Sequence, residues 1–140
     1  MADSDLPEST PTQPVNGRAE ARQLVTELLE HARRDICFVG SEIDLLLDDP
    51  DIVETIRKKL LQNPRTQLRL LVDTTEPSIR RSHRLLPLIQ KLTSSIAVRL
   101  TPARFQQPPY LAMIVDETGY LRCLNNQRYQ GRAATHAPLE

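Results

Sequence analysis

The densest reactive stretch of the chain is Ser78-Ile-Arg-Arg-Ser-His-Arg84, which sets three arginines around one histidine. Guanidinium groups grip phosphate or carboxylate oxygens in pairs, and free amides at a helix start add to that grip. Arg80, Arg81 and Arg84 therefore read as anion contacts, with His83 beside them. A catalytic histidine also needs an orienting acceptor and a group to protonate the leaving atom. The candidate partners are Asp73 and Asp116, each directly following an apolar strand-like run. Ser41, Glu42, Thr74, Thr75 and the Thr101–Arg104 segment also follow such runs, where open α/β sheets place ligands. Two aspartates far apart do not make the dense Asp/Asn/Gly pattern of a calcium loop, so no metal and no cofactor are expected. The plainer reading makes Ser78–Arg84 a solvated basic helix face, with the Ser, Thr and Asp residues serving as turn formers and caps.

The elements that must position these residues follow from periodicity. Residues 1–17 carry Pro7, Pro11 and Pro14 among acids and hydroxyls and read as a disordered tail. Ala21, Leu24, Val25, Leu28, Leu29 and Ala32 recur at helical spacing between Arg18 and Arg34. Ile36–Val39 is an apolar strand. Asp48-Asp49-Pro50-Asp51 starts a second helix carrying Ile52, Val53, Ile56, Leu60 and Leu61, and Asn63-Pro64 stops it. Leu68–Val72 and Ile96–Leu100 are strands flanking a third helix that begins near Ser78 or Ser82 and ends near Leu92. Strands Tyr110–Val115 and Tyr120–Leu124 form a hairpin through Asp116-Glu117-Thr118-Gly119, with the glycine at positive φ. Cys37 and Cys123 read as inert core thiols.

Alternation of helices and strands predicts an α/β fold with a mixed, mostly parallel sheet, helices on both faces and a C-terminal antiparallel hairpin. One domain spans residues 18–132, and 133–140 form a second disordered tail. No internal repeat is present.

Tyr110-Leu-Ala-Met-Ile-Val-Asp116, with the strand Leu-Arg-Leu-Leu-Val-Asp73 and the order of elements, resembles a phospholipase D half-domain. In that family the hairpin strand reads His-x-Lys-x-x-x-x-Asp. Counted back from Asp116, the lysine position is Leu111 and the histidine position Pro109. The Gly-Ser-x-Asn that follows in active members is Arg122-Cys-Leu-Asn125 here. The resemblance thus implies the scaffold without its reacting groups. It is similar to small, degenerate phospholipase D-like bacterial domains of unknown function that accompany acetyltransferase domains. It also implies a homodimer, since active single-domain relatives pair two copies around one site.

The functional expectation is a non-catalytic phospholipase D-like domain binding a phosphate-bearing ligand or a partner protein. The ligand residues would be Arg80, Arg81, His83, Arg84, Asp73 and Asp116. The alternatives are a phosphodiesterase with rearranged residues, His83 acting with Asp73 or Asp116, and a structural accessory domain of a larger, acetyltransferase-linked assembly. Residues 1–54 hold thirteen acids and four arginines, −9, so the remainder of this neutral chain is +9. That asymmetry permits backbone contact with nucleic acid, or it is cancelled when the halves fold together. Five aromatics and no helix-turn-helix or zinc spacing argue against base-specific reading. No apolar run approaches the roughly 20 residues of a membrane span, and the acidic start Met1-Ala-Asp-Ser-Asp is unlike a signal peptide; the expected location is cytoplasmic.

Overall fold

The computed structural model describes residues 12–102, 104, 110–125 and 128–134. In chain order these form β1 (Gln13–Asn16), α1 (Arg18–His31), β2 (Asp35–Gly40), a 3₁₀ turn (Leu45–Asp48), α2 (Pro50–Gln62) and β3 (Gln67–Val72). Then come α3 (Glu76–Arg80), α4 (Leu85–Lys91), β4 (Ile96–Leu100), β5 (Leu111–Val115), β6 (Gly119–Asn125) and β7 (Gln130–Ala134). The strands make one seven-stranded sheet in the order β1-β7-β6-β5-β2-β3-β4.

The fold is mixed α/β, but the sheet is not mostly parallel. Only β2–β3 and β3–β4 run parallel; the pairs β2–β5, β5–β6, β6–β7 and β1–β7 are antiparallel. The expected hairpin is the start of a three-strand meander, and β1 closes its edge. Residues 13–16 and 133–134, expected in the tails, are therefore sheet residues: Val15, Ala133 and Ala134 are buried. The remaining tail residues, 1–11 and 135–140, lie outside the described residues, as do most of 103–109.

Among the described residues helices also do not cover both faces. The inward residues Ile36 and Phe38, Leu68, Leu70 and Val72, Leu111, Met113 and Val115, and Leu121 and Cys123 join the buried stripes of α1, α2 and α4 in one core. The alternate residues of the same strands stay half-buried or exposed and outside that core. The cause is topological. The parallel strands advance in one direction, β2 to β3 to β4, and right-handed crossovers that advance one way put α2 and α4 on the same side, where α1 packs too. Covering both sides would require the strand order to reverse around the first strand.

Local chemistry fixes the helix ends. Asp49 caps α2 by accepting from the amides of Asp51 and Ile52 at 2.8 and 3.3 Å, with Pro50 as first residue. Arg22 of α1 donates to Asp49 and Asp51 at 2.7 and 2.9 Å, tying α1 to the start of α2. The expected third helix is two short ones, broken at Arg81–Arg84, where Ser82 takes a φ of 54°. In the β5–β6 turn the positive φ falls on Asp116 and Glu117, at 53° and 62°, not on Gly119. Cys37 lies on the open face rather than in the core, and Cys123 on the covered one, so the two thiols cannot meet across the sheet.

Gly131 is needed for packing. A Cβ there would land on the Arg122 carbonyl oxygen and lie 2.8 Å from Cys123 Cα, because β7 presses against the irregular register of β6. Gly131→Ala is expected to lower stability by about 2–3 kcal/mol with an unchanged denaturant slope. Urea unfolding followed by circular dichroism checks this.

Candidate functional site

The structure separates the six predicted ligand residues into two groups. Asp116 sits at the end of the sheet where β2 begins. Its carboxylate accepts from the amides of Arg33, Arg34 and Asp35 at 2.7, 2.8 and 2.8 Å, clamping the α1–β2 connection. Burial disfavours its charge, but these three donors and the Arg33 charge outweigh burial and hold the carboxyl below its ordinary value. Asp73 follows β3 at the opposite end, where Gly40 pairs with Val72 and Leu111. Six residues of β2 lie between the two ends, about 20 Å of strand. Asp73 and Asp116 therefore do not form a pair.

Arg80, Arg81, His83 and Arg84 lie near Asp73's end, at the α3–α4 junction, and each is occupied. Arg80 pairs with Glu76 at 3.2 Å, Arg81 with Glu42 at 3.1 Å and Arg84 with Asp48 at 3.4 Å. The Arg84 amide donates to Asp48 Oδ1 at 2.7 Å. His83 is 1% exposed. Its Nδ1 accepts from the Leu85 amide at 3.1 Å, which leaves Nε2–H to donate to the Asp44 carbonyl at 3.0 Å. Both ring nitrogens thus serve the backbone, with Asp48 Oδ1 at 3.9 Å from Nδ1. The basic loop is a junction, and its histidine is a structural lock.

Two residues of this region were not recognised in the sequence. Asp44, 4% exposed, accepts from the Tyr129 hydroxyl at 2.7 Å and the Leu46 amide at 3.0 Å. Tyr129 is 6% exposed, and burial followed by the Asp44 charge pushes its hydroxyl strongly toward the neutral form. Cys123 adjoins this cluster; burial first, then Asp44, pushes its thiol up to about 11. Arg18 lies 5.9 Å from the Tyr129 ring centre. Asp44 follows a strand, which is a signal; Tyr129, in a turn with a φ of 53°, had none.

Beyond the junction, Asp73 faces Tyr110, whose hydroxyl is raised by burial and by the Asp73 charge and lowered by Arg122. Tyr110 stands between Pro109 and Leu111, the positions at which the phospholipase D resemblance expects histidine and lysine. Leu111, at the lysine position, is 2% exposed and belongs to the core; Pro109 lies outside the described residues. Among the described residues no group of three or more His, Cys, Asp and Glu side chains is arranged to hold a metal ion. No helix among them is long and apolar enough to cross a membrane.

Fold and site define a one-sided α/β domain in which His83, Asp116 and the arginines of the α3–α4 junction are engaged in holding the chain together. The family described as "Domain of unknown function (DUF7931)" matches residues 17–140, and the chain belongs to it. No curated protein matches. Among solved structures the chain is similar to TrmBL2, described as an archaeal chromatin protein with a novel mode of DNA binding, at 14% identity and a TM-score of 0.61. The match covers 96% of this chain and 48% of that one, so the chain spans about half the length of this neighbour. At that identity the likeness establishes a shared fold.

Asp116 yields a pH prediction. Its folded-state carboxyl is held below the ordinary value, so its stabilisation is complete above roughly pH 4 and is lost as pH falls through the folded value. Asp116→Asn is expected to be less stable than wild type near neutral pH, and that gap should close on acidification below about pH 4. Thermal midpoints of the two proteins across pH 2–7, a range of about five units around the carboxylate region, check it.

Proposed function

We propose that this chain is a non-catalytic, phospholipase D-like binding domain. The observation that carries the reading is His83, the one histidine beside the basic cluster. It is 1% exposed and spends both ring nitrogens on backbone groups, so neither is free to attack or deprotonate a substrate. The absence of a reactive group at Leu111 agrees with this. So does the place of Asp116 at the far end of the sheet, away from His83, which speaks against the alternative in which it orients a catalytic histidine; for Asp73 the same weight falls on the backbone bonds that occupy both ring nitrogens.

The binding half of the proposal rests on the α3–α4 junction. The Arg80 and Arg81 side chains are 74% and 50% exposed, and each is held by one acid. Exposed pairs of this kind are worth on the order of 0–1 kcal/mol, so a phosphate dianion can displace the acid and take the guanidinium. A partner protein bearing acidic or phosphorylated side chains offers the same chemistry. TrmBL2 binds DNA, but the sequence identity to it is too low to carry that property to this chain.

Two measurements test the reading. Wild-type protein is expected to hydrolyse bis-p-nitrophenyl phosphate no faster than buffer; turnover above the blank overturns the non-catalytic assignment. Titration with inorganic phosphate is expected to raise the melting temperature of wild type and to leave R80A/R81A/R84A, folded by circular dichroism, unshifted. Equal shifts in both proteins, or none in wild type, remove the arginine loop as an anion site.

A further inference from the structure

Among the described residues one face of the sheet carries no helix, and that face is patterned. In register across β7, β6, β5, β2, β3 and β4 runs the row Arg132, Arg122, Ala112, Val39, Leu71 and Arg99. The adjoining row carries Tyr120, Ile114, Cys37, Arg69 and Ala97 side by side on β6, β5, β2, β3 and β4. None of these outward residues belongs to the core, and Leu71 and Ile114 are 36% and 43% exposed. The middle three strands thus show an aliphatic strip, and arginines stand on both margins.

We propose that this face docks an amphipathic helix of a partner protein, with an aliphatic stripe against β5, β2 and β3 and acidic side chains along both flanks. Arg122 on β6 and Arg99 on β4 are four strand spacings apart, about 19 Å. A helix with its side chains is about 10–12 Å across, so it fills the strip and leaves a guanidinium's reach on either side. Such a helix supplies the layer that the one-directional strand order leaves out, and it removes Leu71 and Ile114 from water.

Charge and shape select this occupant over two others. A second copy stacked face to face about a two-fold would set arginine against arginine at both margins, because the row is cationic at each end. A nucleic acid strand would satisfy the arginines and find one ring in Tyr120, but a single ring beside Val39, Leu71, Ala112 and Ile114 is not the run of rings on which successive bases stack. Arg69 already pairs with Asp35 at 3.1 Å, so Arg99, Arg122 and Arg132 are the margin charges the partner would meet. Arg132 also donates to Thr12 at 2.9 Å, a neutral contact that leaves its charge uncancelled.

This surface is distinct from the Arg80–Arg84 loop, so the phosphate result and the one below succeed or fail separately. The probes are fluorescein-labelled peptides of about 18 residues, five helical turns: one with a leucine stripe flanked by glutamates, one with the same stripe flanked by lysines. A labelled oligothymidine is the third probe, and anisotropy is the readout. The glutamate-flanked peptide is expected to bind at least roughly tenfold tighter than the lysine-flanked one. Ile114→Glu is expected to weaken it about tenfold or more, with an unchanged circular dichroism spectrum. R99E/R122E is expected to reverse the preference toward the lysine-flanked peptide, a gain that an unfolded variant cannot give. No binding of the glutamate-flanked peptide, no preference between flanks, or indifference to Ile114→Glu overturns the proposal. Preference for oligothymidine over both peptides assigns the face to nucleic acid instead. A wild-type dimer that Ile114→Glu turns into monomer assigns it to a second copy.

Discussion

The buried carboxylate of Asp44 is the constraint on which the arrangement around the sheet's carboxyl end depends. An ionisable group that is 4% exposed must find donors, since an unpaired one costs several kcal/mol on the order expected for buried polar groups. Asp44 finds them in the Tyr129 hydroxyl and the Leu46 amide, while its own carbonyl accepts from Leu47 and from His83. Three segments remote in sequence are thereby pinned at one point: the stretch after β2, the α3–α4 junction and the β6–β7 turn. The turn passes the constraint on. The Tyr129 carbonyl receives the Gly17 amide at 3.0 Å and its ring lies against Arg18, which sets where α1 begins.

This knot explains why residues that look reactive in the sequence are not poised to react. A histidine among arginines and a carboxylate after a strand are the groups an enzyme uses, but they are also the groups that satisfy buried backbone where irregular segments meet. His83 sits where α3 ends and α4 starts, two helices too short to cap themselves well; its ring ties the first amide of α4 to the Asp44 carbonyl, and its own amide bonds back to Ser78 of α3. Asp116 does the same for the α1–β2 connection, and its left-handed backbone aims the carboxylate at three amides. In each case the chemistry of the side chain is spent on geometry.

The regular elements were legible because each carries its own signal. The stripe of α1, the Asp49-Pro50 start of α2 and the runs of β3 and β4 fall where periodicity and capping put them. What failed depends on partners distant in the chain. Gln13–Asn16 reads as a proline-bearing tail because its pairing partner, β7, is more than a hundred residues away, and a strand with Pro14 suits only a sheet edge. The Gln-Gly-Arg-Ala-Ala of β7 lacks β-branched residues and is held by its neighbours instead. The outward residues Cys37, Val39 and Leu71 make β2 and β3 look buried on both faces, so apolar runs suggested two helical layers where there is one. The reactive-looking residues could be named from the sequence, but not their separation: Asp73 and Asp116 each end an apolar run, and only the antiparallel direction of β5 sends the second to the far end of the sheet.

One-sidedness also decides what becomes of the charge asymmetry. Part of it cancels on folding, because Arg69, Arg81 and Arg84 from the basic half pair with Asp35, Glu42 and Asp48 from the acidic half. The rest is sorted by face. The acids of α1, the 3₁₀ turn and the start of α2 lie on the helical side, where Arg57, Lys58 and Lys59 of α2 offset them, while β4, β6 and β7 point Arg99, Arg122 and Arg132 to the open side. A neutral chain thus presents a layer of helices with mixed charge on one side and a cationic, aliphatic sheet on the other. An approaching molecule responds to that local field rather than to the net charge of zero, and at physiological salt it does so only within about 8 Å of the surface. Attraction on that scale orients a ligand already close to the sheet, and the aliphatic strip then supplies the adhesion.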